Sequence, residues 1–214
     1  MGRRVPRPPA RFPFSRGGTT LPFAGVGTRT VPPHHSPTAA RHRMNARFPA
    51  FNAALRSRGL SRRAVLPEDR EFLHRVYAST REAELAVVPW SREEKDRFLS
   101  MQFEAQRREY GRRYAGDDFS VLYLGEEPIG RLYIGWWAEE VRLIDIALLP
   151  EFRNRGLGSA ILEWVQKHAA ERSLPLTIHV EVFNPALRLY RRLGFRVRTE
   201  GEVYHLLEWA PREE

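Results

Sequence analysis

Residues 145–160 read Asp-Ile-Ala-Leu-Leu-Pro-Glu-Phe-Arg-Asn-Arg-Gly-Leu-Gly-Ser-Ala, an apolar strand that passes through a short Arg/Gly loop into a helix. No other stretch of the chain constrains the fold as tightly. Glycines at 156 and 158 let the backbone come close to a ligand, and a helix starting there offers free N–H groups and the positive end of its dipole. Arg153 and Arg155 add charge beside it. The segment reads as a cradle for phosphate oxygens.

Other uses of a glycine loop fit less well. A dinucleotide fingerprint asks for a third Gly or Ala three residues after the second glycine and for an acid roughly 20 residues on. Ile161 takes the first of these places, although Glu181 ends a strand near the second. A nucleoside-triphosphate loop asks for Gly-Lys-Ser/Thr at the helix start, and Ser159 has no Lys before it. A pair serving only a tight turn stays open until a second motif is found. That motif lies 26 residues past Gly158, where Ile178–Phe183 reads as a strand and Asn184–Phe195 as a short helix closed by Leu193-Gly194-Phe195.

Together the two segments resemble the GNAT superfamily of N-acetyltransferases. Arg153, Gly156 and Gly158 match its Arg/Gln-x-x-Gly-x-Gly/Ala signature. Asn184 matches the Asn that opens the helix after the fifth strand, Tyr190 the Tyr about two turns on, and Leu193-Gly194-Phe195 the return to a strand. The resemblance covers residues 62–209 and implies an α/β (α+β) acyl-coenzyme A N-acyltransferase fold, a mixed sheet of six to seven strands flanked by about four helices. It implies acetyl-coenzyme A as co-substrate and a primary amine as acceptor. On this basis Arg153, Arg155, Gly156, Leu157, Gly158 and Ser159 hold the pyrophosphate. Ile146 and Leu148 give main-chain contacts to the pantetheine arm, and Asn184 bonds a pantetheine amide. Tyr190 is the expected general acid for the departing thiolate, its other reading being a packing residue. The base stays open. His179 and Glu181 share one face of a strand in which Leu176, Ile178, Val180 and Val182 alternate with polar residues, and Asp145 is a third candidate.

Periodicity supports this layout. Arg63–Leu66 reads as a strand ending at Pro67, and Phe72, Leu73, Val76 and Tyr77 as one face of a helix. Ser91-x-x-Glu94 is a capping box that opens a helix through about Tyr110. Strands follow at 119–124, 129–137 and 141–149, then the helix after the glycine loop, and later strands at 195–199 and 203–209. The acceptor end is the least legible part. Arg81, Glu82, Glu84, Trp90, Phe103 and Trp137 are its candidate lining, each as readily an ordinary surface or core residue.

Charge divides the chain. The 214 residues carry a net charge of +9, yet residues 1–67 alone contribute +13, from 13 Arg with no acid or Lys, and the remainder is −4. Half of the 16 prolines precede residue 44. Such a segment cannot repay its ordering entropy, so residues 1–60 are expected to be an Arg/Pro-rich, disordered or untranslated extension and residues 61–210 the catalytic domain. Only two of the 35 basic residues are Lys. That bias fits a GC-rich coding sequence whose translated upstream DNA reads as Arg, Pro, Gly and Ala, with Met44 the natural start. An arm for nucleic acid or acidic membrane and an organelle transit peptide are the functional alternatives.

Cysteine is absent, which excludes a disulfide framework, a thiolate metal site and a cysteine nucleophile. The seven His residues show no ligand spacing, so no metal is expected. No apolar run approaches the ~20 residues of a membrane span. The expected protein is a cytoplasmic N-acetyltransferase using no metal and no membrane, with nucleic acid reached only through the arm, and a homodimer is an open expectation. The alternative is a non-catalytic acyl-coenzyme A binding module with a basic N-terminal arm for nucleic acid or another partner.

Overall fold

Local sequence decides where most elements begin and end. In the computed structural model, which describes residues 48–211, the chain runs α1 (Ala53–Ser57), β1 (Leu60–Ala64), α2 (Arg70–Ser79), α3 (Glu82–Ala86), α4 (Arg92–Arg113), β2 (Asp118–Leu124) and β3 (Glu127–Trp136). It continues through β4 (Val141–Leu148), α5 (Leu157–Ala170), β5 (Leu176–Glu181), α6 (Leu187–Arg192), β6 (Arg196–Thr199) and β7 (Tyr204–Trp209). The capping box is formed at α4: Ser91 Oγ accepts from the Glu94 N–H at 3.2 Å while Glu94 Oε2 accepts from the Ser91 N–H at 2.8 Å.

Two of these helices, α1 and α3, are only five residues long, too short for a hydrophobic period to show in sequence. α1 matters for the domain boundary. Asn52 caps it by accepting from the Leu55 N–H at 3.0 Å, and Phe51 and Leu55 are buried in the main core. The packed unit therefore starts ahead of residue 61. The remaining part of the expected 1–60 extension, residues 1–47, lies outside the described residues.

The seven strands form one sheet in the order β1-β2-β3-β4-β5-β7-β6. Every pairing is antiparallel except β4 with β5. β1 begins earlier than the 63–66 expected, at Leu60. Its Arg62 hides the strand from a hydrophobicity reading: the guanidinium bonds Asp118, Ser120 and the Pro49 carbonyl while lying over the rings of Phe51 and Trp164. β3 is an interior strand, buried on both faces from Ile129 to Trp136.

α5 buries Leu157, Ile161, Leu162, Trp164, Val165 and Ala169 in the largest core cluster. There Trp164 meets Phe51 and Trp136 edge to face at 5.0 and 6.1 Å. A second cluster joins Leu73 and Tyr77 of α2 to Leu99 and Phe103 of α4 and Val121 of β2. A third, of Tyr110, Tyr114 and Tyr133, fastens the end of α4 to the sheet, with Phe119 stacked on Tyr133 at 4.2 Å. No helix among the described residues is long and apolar enough to cross a membrane.

Candidate active site

Parallel pairing of β4 with β5 lasts for three rungs, Val141–Leu176, Arg142–Thr177 and Leu143–Ile178. Beyond them the strands part, although β4 continues to Leu148 and β5 to Glu181. A bulge bends β4 at this point: Tyr133 pairs with Asp145 and Ile134 with Leu143, so Ile144 is an extra residue. The Leu149 N–H donates to the Ile129 carbonyl at 2.9 Å. Antiparallel alternation from that pair turns the N–H and C=O of Leu148 and Ile146 away from β3 and toward the gap. The split opens a cleft of about 680 Å³, counting its open mouth. β4 from Arg142 to Ile146 and β5 from Ile178 to Glu181 wall it, with Tyr110, Tyr114, Asn184, Tyr190 and Tyr204 on the remaining sides.

The glycine loop lies just past the end of β4. Gly156, at φ +73°, is in the left-handed region and starts α5, whose N-terminus has no side-chain cap. Leu157 is buried, so only its backbone can face a ligand. A Cβ at Gly158 would meet Leu189 at 3.8 Å, an ordinary contact, so the fold itself does not demand glycine there. Arg153 is a brace: its Nε donates to the Leu148 carbonyl at 2.8 Å and its Nη2 to the Ser79 Oγ at 3.1 Å. Arg155 lies over the Phe152 ring, and its carbonyl accepts from Arg58 Nη2 at 3.2 Å. Ser159 Oγ accepts from Arg192 Nη2 at 3.1 Å. Arg58 and Arg192 are thus two further cations at this helix start, invisible to a motif because they come from distant segments.

α6 ends in a Schellman turn, which sets Tyr190. The Gly194 N–H donates to the Arg191 carbonyl and the Phe195 N–H to the Tyr190 carbonyl, with Gly194 at φ +86°. Tyr190 is buried, with its ring against Phe195, and lines the cleft. Asn184 lies three residues ahead of α6. Its Oδ1 accepts from the Ala186 N–H at 2.9 Å, so Asn184 shapes the turn into the helix without being its immediate cap.

The candidate bases differ in their surroundings. Asp145 Oδ2 accepts from Arg131 Nη2 at 2.7 Å and from the Tyr110 hydroxyl at 3.3 Å, all three groups being buried. Burial alone would lower the Arg131 guanidinium, but the Asp145 carboxylate together with Tyr133 and Tyr110 outweighs it and holds it above its ordinary value. Tyr133 beside them is pushed up to about 12 by burial, against the opposing pull of Arg131. Asp145 is therefore half of a structural ion pair. His179 Nδ1 accepts from Arg142 Nη1 at 2.8 Å. Glu181 Oε1 lies 3.7 Å from Arg81 Nη1 and 3.5 Å from the Tyr204 hydroxyl. The structure thus brings Tyr190, His179, Glu181, Ile146 and Asn184 to one cleft.

The acceptor candidates go elsewhere. Arg81 is buried between Glu84 and Glu181, Trp90 packs on Phe98, Phe103 is core and Trp137 donates to Asp117. None of these four, nor Glu82 or Glu84, lines the cleft, where Tyr110 and Tyr114 stand in their place. Tyr110 lies in the last turn of α4 and Tyr114 is the C-cap residue just beyond it, so only packing reveals them. Among the described residues no group of three or more His, Asp or Glu side chains is placed to hold a metal ion.

The split parallel pair and the glycine-loop helix set the geometry of the site, and comparison with known proteins gives the family. The model of the acetyltransferase (GNAT) family matches residues 70–195, more than half of the chain, and the chain belongs to that family. Over 76 residues it is 34% identical to the thialysine N-epsilon-acetyltransferase of Sus scrofa, a match covering 35% of this chain and 45% of that protein. The Bos taurus protein of the same name is 35% identical over 75 residues, covering 34% and 44%. The chain thus spans less than half the length of the curated relatives it matches. Among solved structures, the PaiA N-acetyltransferase of Thermoplasma acidophilum, in complex with coenzyme A, superposes with a TM-score of 0.56 at 17% identity, covering 71% of this chain and 99% of that one. An acetyltransferase from Thermus thermophilus does so with a TM-score of 0.50 at 25% identity, covering 71% and 97%.

Proposed function

We propose that this chain is an N-acetyltransferase that moves an acetyl group from acetyl-coenzyme A directly to a primary amine. The observation that carries the reading is the split between β4 and β5, whose exposed strand backbone leads to the uncapped start of α5. An extended pantetheine arm carries amides that need strand-like partners, and a pyrophosphate needs clustered N–H donors. Ile146 is suited to the first, as is the N–H of Leu148, whose carbonyl is held by Arg153. Gly156, Leu157, Gly158 and Ser159 are suited to the second, with Arg155 beside them and Arg153 bracing the loop. Asn184 lines the cleft with its Oδ1 already engaged, so its amide N–H₂ is the end suited to an acceptor on the arm.

Bound acetyl-coenzyme A supplies an acyl group activated as a thioester. The chain's own residues hold the geometry and move protons. On the β5 face, Glu181 or His179 takes a proton from the acceptor ammonium, which frees its lone pair for attack on the acyl carbon. As the C–N bond forms and the C–S bond breaks, Tyr190 gives its phenolic proton to sulfur and regains one from the new amide nitrogen. One proton is released overall. A phenol with an ordinary pKa of about 10 is protonated at neutral pH and can play this part.

The relatives are named for acetylating the N-epsilon amine of thialysine, which supports alkyl amines as the first class to test. The test is a panel of primary amines assayed for thiol release from acetyl-coenzyme A. Release with at least one amine, at a rate above hydrolysis, is expected. Tight coenzyme A binding without release for any amine would favour a non-catalytic binding module instead.

A further inference from the structure

Arg142 is buried at the root of the cleft, and its guanidinium is held on three sides. Its Nη2 donates to Glu140 Oε1 at 2.8 Å, and Glu140 Oε2 accepts from Thr177 Oγ1 at 2.6 Å. The Trp137 ring lies 5.6 Å from its central carbon. Its Nη1 reaches His179 Nδ1 at 2.8 Å. Arg142 and Thr177 form one rung of the short β4–β5 ladder, so backbone pairing fixes where this network sits.

A guanidinium only donates hydrogen bonds. At 2.8 Å the His179 Nδ1 must therefore present its lone pair, and the ring carries its proton on Nε2. A second proton, on Nδ1, would set N–H against N–H beside a permanent cation. We infer that Arg142 is a positioning residue that locks His179 as its neutral Nε2–H tautomer, making it a hydrogen-bond donor in the cleft and not a proton acceptor. The lock itself does not depend on the transferase reading; its catalytic consequence does, for it leaves Glu181 as the base.

The other charged groups around the ring do not reverse this. Glu140 meets the network through Arg142 and Thr177, and Asp145 on β4 is committed to Arg131 and Tyr110. Glu181 is two residues along β5 and lies beside Arg81 and Tyr204. The remaining titratable lining is phenolic, Tyr110, Tyr114, Tyr190 and Tyr204.

The test is long-range ¹⁵N–¹H correlation spectroscopy on full-length protein labelled at histidine, with His179 assigned by its loss in His179→Gln. The wild type should show the Nε2–H pattern, and the ring should stay neutral as pH falls well below the ordinary histidine midpoint of about 6.5. Arg142→Met should release the ring to titrate near that midpoint, and Arg142→Lys, which keeps a donor, should restore part of the protection. A wild-type ring that carries its proton on Nδ1, or titrates at the ordinary value, overturns the inference whatever the activity. The wild-type spectrum decides alone if Arg142→Met does not fold. With an accepted amine in hand, Glu181→Gln should abolish the fall of kcat/KM on the acid side while His179→Gln keeps it. Loss of that limb in His179→Gln alone would also overturn the assignment. Absence of any transfer counts against the transferase reading, and the spectra still decide the tautomer.

Discussion

Tyr190 and Phe195 are tied twice, by a hydrogen bond from the Phe195 N–H to the Tyr190 carbonyl at 3.0 Å and by an edge-to-face contact of their rings at 5.5 Å. The turn that makes the first bond brings the two rings together, so the cleft-facing tyrosine is aimed by its own helix end. Tyr190→Phe keeps the ring contact and deletes the hydroxyl. Turnover on an accepted amine should fall by about 10² to 10⁴ with coenzyme A affinity near wild type. Tyr190→Ala should in addition lower stability by roughly 3 kcal/mol, measured by urea denaturation. A Phe variant as fast as wild type, with chemistry rate-limiting, would make Tyr190 a packing residue.

Gly158→Glu should leave the fold intact, because a Cβ there meets only Leu189 at an ordinary 3.8 Å. The added carboxylate stands at the helix start proposed to hold the pyrophosphate and should weaken coenzyme A binding beyond detection in calorimetric titration. Thermal denaturation of the free protein is the control. Wild-type affinity in a folded variant would remove the glycine loop from the binding site.

Removal of residues 1–43 should leave thermal stability and coenzyme A affinity unchanged, since among the described residues the core is first reached at Phe51. Removal of residues 1–60 is a different case. It strips Phe51 and Leu55 from the core, and at about 1.5 to 3 kcal/mol for each buried side chain the loss should total several kcal/mol. Equal melting temperatures for the two shortened chains would show that the short α1 contributes nothing.

Asp145→Asn should cost about 3 to 5 kcal/mol, because it leaves the Arg131 guanidinium buried without its counter-charge. Chemical denaturation measures this directly. A variant with wild-type stability and no turnover would instead return Asp145 to the list of bases.

Acid should weaken the junction of β1 and α2. The Arg63 guanidinium, hydrogen-bonded to Asp69, holds that carboxyl below the usual range, against the opposing effect of burial. A lowered folded-state pKa adds stability that is complete above the unfolded value of about 3.9 and is lost as pH falls through the folded value. Asp69→Asn should therefore lower stability at neutral pH and shrink its decline below about pH 4. Urea midpoints across that range check the sign. An unchanged acid decline would show that the pair is not linked to folding.

The parts of this protein legible in sequence are those made by neighbours along the chain. A capping box needs only Ser91 and Glu94, a Schellman turn only Tyr190 through Phe195, and a glycine-started helix only Arg153 through Ser159, so each carried its geometry in a short string. Tertiary structure decided what those strings face. The bulge at Ile144 that parts β4 from β5, the commitment of Asp145 to Arg131, the bond from Arg142 to His179, and the burial of Phe51 and Leu55 each join residues distant in sequence or depend on strand register. Such contacts leave no local period. Hydrophobic alternation could bring His179 and Glu181 to one face, but only the fold places Arg142 of β4 and Arg81, at the start of α3, beside them, because the elements packed around a strand set which charges meet.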